Sequence, residues 1–468
     1  MKNDTTRVLH FFEEISAIPR RSFITAPIAE YLCGFAKARG LSYLRDAADN
    51  VIIKKAASAG FENRSTVILQ AHTDMVFVKA DPDAPDDQNA PLRLRIEGDT
   101  LSAVGTSLGA DDGIGMAYML AILDDDTLSH PAIEALFTSN EEVGLLGAAA
   151  LDASALCGRM LINLDSDEEG IFTVGCAGGS TATLTLPFQK TVTRPCRTLT
   201  LTGLPGGHSG ADIHKGIANA ILLLLSLLSK IEQPIALAEI SGGEASNAIP
   251  AFASVRFFCE APSEKITAAF AAMLKEETQC TGDAALTLSE NGDAPCMDIE
   301  KSRALIHGIL GLPNGILAME KIPKGLPKTS LNLGKIETQK DRLVLRYALR
   351  SSVDACCRSL ENELKNAAEA LLGQIEIDGE YPAWEYRERS PLRDVCLALY
   401  RRRYGKDATV SVIHAGLECG VLAAKISGLD SISFGPNNRA IHTADEALLL
   451  SSAEAVYEYL TEVLSALR

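Results

Sequence analysis

Ser65–Val76 reads Ser-Thr-Val-Ile-Leu-Gln-Ala-His-Thr-Asp-Met-Val, and the architecture of the chain can be built from this segment. Its first half is an uninterrupted run of β-branched and apolar residues, which predicts a buried strand. Two polar side chains, His72 and Asp74, follow where the run ends. We therefore expect both of them at the carboxyl end of a buried strand.

Two further apolar runs end in the same way. Ile133–Thr138 is followed by Glu141 and Glu142, and Met160–Leu164 is followed by Asp165. A predicted helix, Asp111–Leu123, lies between the first two runs, and strands that alternate with helices form parallel sheets that bind ligands beyond the carboxyl ends of the strands. These acidic residues are therefore expected to meet the polar residues of the first run at one edge of a sheet.

The sequence pattern changes in the middle of the chain and then returns. In the middle, predicted strands and helices, among them helices at Asp212–Lys230 and Ile266–Glu277, occur in two rounds. This order indicates an inserted α+β domain. We predict an α/β fold in which a mixed, mostly parallel sheet flanked by helices is interrupted by a lid. The expected bounds are residues 1–184 and 382–468 for the catalytic domain and 185–381 for the lid.

Composition excludes several classes of protein. The chain has 468 residues with a formal charge of −17, and 47% of its residues are hydrophobic, so wholesale disorder is excluded. The acidic balance argues against nucleic-acid or anionic-membrane partners, since both need a basic surface. The eleven cysteines form no CxxC element and no export signal precedes them, which indicates reduced thiols and a cytoplasmic location.

Five side chains of metal-binding type lie in short polar patches beside these hydrophobic strands. Imidazole and carboxylate ligands without thiolates suit zinc, cobalt or manganese. Two imidazoles and three carboxylates are too many for one zinc ion but suit a pair of ions about 3.5 Å apart that share one bridging carboxylate. Such a pair leaves Glu141 as a general base and Asp74 as the partner that orients the His72 ring. The five candidate ligands are His72, Asp111, Glu142, Asp165 and His442.

At these positions the chain resembles the zinc-dependent peptidases of the M20 family, in particular their aminoacyl-histidine dipeptidase branch. The resemblance implies a zinc aminopeptidase-like catalytic domain with an inserted lid. The motifs occur in the family's order and extend over most of the chain. They are Leu69–Val76, Gly105–Gly115, Thr138–Gly144, Leu164–Gly170, Gly206–Gly210, Ser246–Pro250, His414–Gly420 and Phe434–His442.

The resemblance implies a role for each candidate ligand. Asp111 resembles the carboxylate that bridges both metals. His72 and Asp165 resemble the further ligands of one metal. Glu142 and His442 resemble those of the other. Two divalent ions per subunit are therefore expected, most simply Zn²⁺, with Co²⁺ and Mn²⁺ as alternatives.

The resemblance also implies the groups that act beside the metals. Glu141 resembles the base that takes a proton from the attacking water, and Asp74 resembles the residue that orients His72. A cis peptide bond between Asp111 and Asp112 is implied as well. The alternative for the two adjacent glutamates is the acidic first turn of a helix, which the helix dipole favours.

The predicted lid carries two further candidates. His208 resembles the family's lid histidine, which in dimeric relatives reaches the partner subunit's site, so a homodimer through the lid is implied. Arg350 is our candidate for the substrate carboxylate, because a guanidinium group donates two hydrogen bonds to a carboxylate at fixed geometry. The alternative for Arg350 is an ordinary ion pair with Asp354.

Other predicted substrate contacts are less specific. Asn247 is expected to be a polar neighbour of the substrate. His414 and Gly416 lie on a loop that the family places near the substrate carboxylate. A free amine needs an acidic partner, and Glu169 or Asp167 could serve.

The sequence thus predicts a di-zinc hydrolase that cleaves small unblocked peptides. Dipeptides are the expected substrates, including Xaa-His and β-alanyl-histidine-like compounds. The alternatives are another M20-type activity, namely a tripeptidase, a carboxypeptidase or an N-acyl amino acid deacylase, or a catalytically silent metal-binding scaffold.

Overall fold

The computed structural model describes residues 3–84, 90–276, 283–320 and 326–467. The chain divides into two compact units. The first comprises residues 1–175, 386–412 and 417–468, and the second comprises residues 176–385 and 413–416. The change of unit precedes strand Gly178–Pro187, which spans the expected boundary at 184/185. Residues 382–385 and 413–416, which are expected in the catalytic domain, belong to the second unit.

The first stretch of the chain supplies most of the first unit. Up to Cys176 the helices are α1 (Asn3–Ser16), α2 (Ala26–Ala38), α3 (Ala110–Asp124) and α4 (Leu146–Ala150), with a 3₁₀ turn at Ala153–Ala155. The strands are β1 (Ser42–Arg45), β2 (Val51–Lys55), β3 (Val67–His72), β4 (Leu94–Glu97), β5 (Thr100–Ala103), β6 (Ile133–Thr138), β7 (Met160–Asn163) and β8 (Ile171–Cys176).

The middle of the chain forms the second unit. Its helices are α5 (Ala220–Ser229), α6 (Ser263–Glu276), α7 (Ile299–Leu310) and α8 (Asp354–Ala370), with a 3₁₀ turn at Ile213–Lys215. Its strands are β9 (Gly178–Pro187), β10 (Val192–Thr202), β11 (Gly207–His208), β12 (Ile235–Gly242), β13 (Ala248–Ile249), β14 (Ala253–Cys259), β15 (Ala285–Cys296), β16 (Gly315–Met319), β17 (Pro327–Gln339), β18 (Arg342–Ser351) and β19 (Gln374–Tyr381).

The last stretch returns to the first unit. Its helices are α9 (Pro391–Tyr404), α10 (Glu418–Lys425) and α11 (Leu450–Ala466), and its strands are β20 (Thr409–Ile413), β21 (Asp430–Ser433), β22 (Asn438–Arg439) and β23 (Ala447–Leu449).

A mixed sheet forms the centre of the first unit. Among the described residues its strand order is β1-β2-β6-β3-β7-β21-β8-β20, and its central strands β6, β3, β7 and β21 run parallel. His72 is level with Thr138, and Gln70 is level with Asn163. Because the parallel strands end at the same level, the polar residues that follow β3, β6 and β7 share one edge of the sheet. The buried helix α3 packs against α1 and β3.

A larger sheet forms the second unit. In the described part of the chain its order is β15-β10-β14-β12-β17-β18-β9-β19, with β16 paired to β17. The apolar helix α5 belongs to the core beside this sheet. The predicted helix Asp212–Lys230 is wrong in its first half, because Gly216 adopts a left-handed conformation and helix α5 begins only after Asn219, whose side chain caps it. In the predicted helix Ile266–Glu277, the last residue lies outside the described residues.

A helix needs about 20 consecutive, predominantly apolar residues to span a bilayer. Within residues 3–84, 90–276, 283–320 and 326–467, no helix combines this length with this composition.

Candidate active site

The centre of the site is the carboxylate of Asp111, which lies between two histidines of the first unit. Its Oδ1 is 2.9 Å from Nε2 of His72, and its Oδ2 is 3.1 Å from Nε2 of His442. His72 is the last residue of β3, whereas His442 lies in the loop after β22 with a φ of 62°. The peptide bond from Asp111 to Asp112 is cis, as the resemblance implies.

Two further carboxylates complete this arrangement, one on each side of Asp111. Oδ1 of Asp165 is 3.9 Å from Nε2 of His72, and Oε2 of Glu142 is 3.0 Å from Nε2 of His442. The structure therefore brings together all five side chains that the sequence predicts as ligands. The adjacent glutamates do not begin a helix, since α4 starts only at Leu146.

The donor atoms fit two divalent cations. His72, Asp111 and Asp165 form one group of donors, and Asp111, Glu142 and His442 form another, with the atoms of each group within 4.8 Å of one another. Asp111 is common to both groups and turns a different oxygen to each histidine. Nitrogen and carboxylate donors around a shared carboxylate are the ligand chemistry of a two-metal site.

The electrostatics of these side chains reflect their burial and close contacts. Burial alone would raise the pKa of Asp111, but hydrogen bonds with His442 and His72 outweigh it and hold that pKa below its ordinary value. Hydrogen bonds to Asp111 and Glu142 raise the pKa of His442 to about 10. Burial raises the pKa of Asp165 well above its ordinary value. The site thus concentrates acidic groups that cations would stabilise in their charged form.

Glu141 lies against the same cluster. Burial, followed by the negative charges of Glu418 and Glu142, raises the pKa of Glu141 well above its ordinary value. The carboxylate of Glu418 is fully buried and accepts hydrogen bonds from Gln70 Nε2 and Thr138 Oγ1, each at 2.6 Å. Glu418 falls within the motif His414–Gly420, but nothing in its spacing indicated that it approaches Glu141.

The contacts of Asp74 differ from those expected. Its main-chain carbonyl, and not its carboxylate, lies nearest to Nδ1 of His72, at 3.0 Å compared with 3.7 Å. The carboxylate accepts hydrogen bonds from the backbone N–H of Glu141 at 2.9 Å and of Glu142 at 3.3 Å, and from Oγ of Ser22 at 2.7 Å. Asp74 thus orients His72 through its backbone and fixes the turn that carries the two glutamates through its side chain.

The two candidates for the substrate amine occupy different surroundings. Asp167 lines a small cavity together with Asp111, Asp165 and Asn438. Burial, together with the negative charge of Asp111, raises the pKa of Asp167 to about 7. Glu169 does not line this cavity, so the geometry favours Asp167.

A second cluster of predicted residues lies within the second unit and centres on Arg350, at the end of β18. Its Nη1 donates to Oη of Tyr381 at 2.8 Å, and its Nη2 lies 3.4 Å from Nε2 of His208. Asp354 accepts a hydrogen bond from the backbone N–H of Ala383 at 2.7 Å, and no ion pair joins it to Arg350 among the described residues. The predicted alternative, an ordinary ion pair with Asp354, is therefore wrong.

The ring of His208 is oriented so that it can donate toward an anion. Its Nδ1 accepts the backbone N–H groups of Gly210 and Ala211, at 3.3 and 3.1 Å, so a neutral ring carries its proton on Nε2. Burial and the nearby Arg350 lower the pKa of His208, which favours this neutral form. Two donors that face each other cannot bond to each other, but both can donate to one anion that lies beside them.

His414 has one satisfied and one unsatisfied ring nitrogen. Its Nε2 lies 2.7 Å from Oγ of Ser330, whereas its buried Nδ1 has no hydrogen-bond partner among the described residues. Burial and the positive charge of Arg350 lower the pKa of His414 to about 4. Gly416 lies so close to the Tyr381 ring that a Cβ there would be 2.8 Å from it. Asn247 is exposed, and its main-chain carbonyl accepts the backbone N–H of Ser209.

The chain is similar to known peptidases. A sequence model described as the peptidase dimerisation domain of M20 enzymes matches residues 199–279, and a model of peptidase family M28 matches residues 50–198. The chain is 35% identical to the cytosol non-specific dipeptidase of Escherichia coli (strain K12), over 97% of this chain and 96% of that protein. The chain belongs to the M20 peptidase family.

Solved structures of other proteins share the fold of this M20 peptidase. The crystal structure of aminoacylhistidine dipeptidase from Vibrio alginolyticus is similar with a TM-score of 0.88 and 34% identity, over 99% of this chain and 96% of that chain. An aminopeptidase from Bacillus cereus is similar with a TM-score of 0.58 and 16% identity, over 99% of this chain and 98% of that chain. The second similarity concerns the fold alone.

Proposed function

We propose that this M20 peptidase is a metal-dependent dipeptidase that hydrolyses unblocked dipeptides. The observation that carries the proposal is the carboxylate of Asp111, which turns one oxygen to His72 and the other to His442. The names of the E. coli and Vibrio relatives support dipeptides, including Xaa-His compounds, as the substrate class.

In this proposal His72, Asp111 and Asp165 hold one divalent ion, and Asp111, Glu142 and His442 hold a second. When bound, the ions would supply Lewis acidity and lower the pKa of a coordinated water. Zn²⁺ is the proposed metal because imidazole and carboxylate oxygen are ligands that it accepts in tetrahedral or five-coordinate sites. Co²⁺ and Mn²⁺ accept the same ligands, so metal analysis decides between the three.

Glu141 is the proposed general base. Burial raises the pKa of Glu141, so its carboxylate is a stronger base that can accept a proton from the attacking water and return it to the leaving amine. The hydrogen bond from the Glu141 backbone N–H to the Asp74 carboxylate fixes the segment that carries the base. Asp74 therefore acts as a positioning residue for both Glu141 and His72.

The second unit is proposed to supply the anion-binding residues. The Arg350 guanidinium and Nε2–H of His208 converge as two donors, which suits the carboxylate of a dipeptide or the oxyanion formed from its carbonyl. Nδ1 of His414 is a buried polar atom that has no hydrogen-bond partner among the described residues. Asn247 and Gly416 are proposed to shape the surroundings of the substrate. Asp167 is proposed to receive the free amine of the substrate.

The match to a peptidase dimerisation domain supports a homodimer formed through the second unit. The scattered cysteines and the name of the E. coli relative support a cytoplasmic location. Light scattering of the purified chain measures the oligomeric state, and a monomeric mass would contradict the proposed dimer.

The experiment that tests the proposed function combines metal analysis with a panel of substrates. We expect two divalent ions per chain, loss of activity after chelation and recovery with Zn²⁺. Free dipeptides should be cleaved, and tripeptides and N-acetylated amino acids should not. Cleavage of N-acetylated amino acids alone would identify a deacylase and overturn the proposal.

A variant of the base separates catalysis from metal binding. Glu141→Gln should retain both metals and lose about 10²–10⁴-fold in kcat, which is the usual contribution of a general base. Glu168→Gln, an exposed acidic residue of a neighbouring motif, serves as the control and should keep wild-type activity. Unchanged turnover in Glu141→Gln would rule out the assigned base.

A further inference from the structure

Arg20 is a buried arginine that joins two segments of the candidate metal centre. It lies between α1 and α2 and is only 1% exposed. Its Nη1 donates to the main-chain carbonyls of Thr73 and Asp74, at 3.3 and 3.2 Å, and its Nη2 donates to that of Gly109. The carbonyl of Asp74 also lies 3.0 Å from Nδ1 of His72. Arg20 and the His72 ring therefore share one acceptor.

Glu446 holds the segment that ends at Asp111. It is only 2% exposed, and its carboxylate accepts four consecutive backbone N–H groups. Oε2 accepts those of Leu108 and Gly109, at 2.8 and 2.7 Å, and Oε1 accepts those of Ala110 and Asp111, at 2.8 and 3.3 Å. Hydrogen bonds to an ionised acceptor are stronger than neutral ones, so this segment is held firmly.

Two glycines leave room for the guanidinium group. A Cβ at Gly109 would lie 2.6 Å from Nη2 of Arg20, and a Cβ at Gly113 would lie 2.5 Å from the same atom. Gly109 also has a φ of 67°, which side-chain-bearing residues rarely adopt. The segment around Asp111 is therefore shaped to accept Arg20 within the fold.

We propose that Arg20 and Glu446 are positioning residues that hold His72 and Asp111 at metal-binding separation before any metal binds. This inference rests on the metal centre of the proposed function and adds the residues that prepare it. Arg20 ties the end of β3 to the Asp111 segment through backbone carbonyls, and Glu446 fixes the same segment through backbone N–H groups. Neither residue offers a ligand atom in the donor groups of the site.

Two conservative variants remove these contacts selectively. Arg20→Lys keeps the positive charge, but an ammonium group cannot span both segments as the guanidinium group does. Glu446→Gln keeps the shape of the side chain, but its NH₂ group would face two backbone donors. The readouts are the apparent Kd for Zn²⁺ by chelator competition, the absorption spectrum of the Co²⁺-substituted protein and the Tm of the metal-free protein.

The first unit offers a matched control for each variant. Arg393→Lys changes a buried arginine whose Nη1 and Nη2 donate to the carbonyls of Arg387 and Glu388, each at 2.7 Å. Glu134→Gln changes a buried carboxylate that accepts the backbone N–H groups of Cys157 and Gly158, each at 2.9 Å. Neither control residue contacts a candidate ligand in the described hydrogen bonds.

We expect Zn²⁺ affinity to fall about 10–100-fold in Arg20→Lys and Glu446→Gln, as for other partners that orient metal ligands. The Co²⁺ spectrum should change in both, whereas the controls keep the wild-type Kd and spectrum even where their Tm falls. The proposal is overturned if all four variants lose stability alike and bind Zn²⁺ as the wild type does. A wild-type chain that binds no divalent metal would instead refute the proposed function.

Hydrogen exchange of the wild-type chain tests the same idea if a variant does not fold. The amides of residues 108–111 should be protected in the metal-free protein, and Zn²⁺ should change their protection little. Amides that exchange freely without metal and become protected only with Zn²⁺ would show that the metal, and not Arg20 and Glu446, orders the segment.

Discussion

The stability of the second unit should depend on the protonation of His414. The ring is 7% exposed, and Nε2 is held by Ser330, while the guanidinium group of Arg350 lies nearby. Burial and this positive charge lower the pKa of His414 to about 4, compared with about 6.5 for an unperturbed histidine. His414 therefore binds a proton less readily in the folded state than in the unfolded state.

The sign and size of the effect follow from this difference. Between pH 6.5 and pH 4 the unfolded state binds more protons at His414, so the free energy of unfolding rises with pH in this window. The stability is fully present above pH 6.5 and is lost as the pH falls toward 4. A difference of about 2.5 pKa units corresponds to about 3 kcal/mol.

The assay is urea unfolding at pH 7 and pH 4, followed by a probe of the second unit. His414→Gln places an amide near the position of Nε2, so it can keep the hydrogen bond to Ser330 without titrating. Between pH 7 and pH 4 the wild type should lose about 3 kcal/mol more than this variant. His307→Gln, at an exposed position of the same unit, should behave as the wild type. Equal losses in wild type and His414→Gln would show that protonation of His414 does not cause this pH dependence.

Three further predictions concern the proposed enzyme. Asp74→Asn should retain both metals but lower kcat more than it changes KM, because the turn that carries Glu141 loses its anionic acceptor. Metal analysis with steady-state kinetics checks this. Loss of metal at an unchanged kcat per bound ion would contradict it. Arg350→Lys should raise KM for free dipeptides about 10–100-fold, because a bidentate donor is replaced by a point charge. The KM for dipeptide amides, which lack the carboxylate, should stay unchanged. An equal rise in KM for both substrates would exclude a carboxylate contact. Zn²⁺ at about 1,000 times its Kd should stabilise the first unit by about 4 kcal/mol. The measurement is a rise in Tm that chelation reverses. An unchanged Tm would argue against a metal site in the folded state.

The sequence predicts the part of the fold that repeats a simple pattern. The apolar runs before His72, Glu141 and Asp165 coincide with β3, β6 and β7 to within two residues, since buried parallel strands are short, continuous and apolar.

Other strands carry signals that resemble turns. Strand β15 contains Asn291-Gly292, a pair typical of tight turns, and Gly292 has a φ of 66°. Strand β17 contains Gly334 beside a register shift between Leu333 and Lys335. At both places pairing with neighbouring strands outweighs the local preference for a turn. Residue patterns within a single segment therefore do not predict these two strands.

The residues of the candidate site also differ in how far the sequence predicts them. Residues such as His72 and Glu142 can be predicted because their side chains carry the chemistry. Arg20 donates to backbone carbonyls, and Glu446 accepts backbone N–H groups, that lie more than fifty residues away in sequence. No residue pattern predicts such contacts. We expect Asp74 to orient His72, and its main-chain carbonyl is the atom nearest to that ring. Its carboxylate accepts the backbone N–H groups of Glu141 and Glu142. The sequence does not specify the turn after β6 that brings these groups together.

In the proposed metal centre one carboxylate, that of Asp111, lies between two metal ions. Anomalous diffraction from crystals of the Zn²⁺-loaded protein, recorded on both sides of the zinc absorption edge, measures this directly. We expect two peaks about 3.5 Å apart, with one Asp111 oxygen bound to each. A single peak, or two peaks with Asp111 bound to neither or to only one of them, would contradict it.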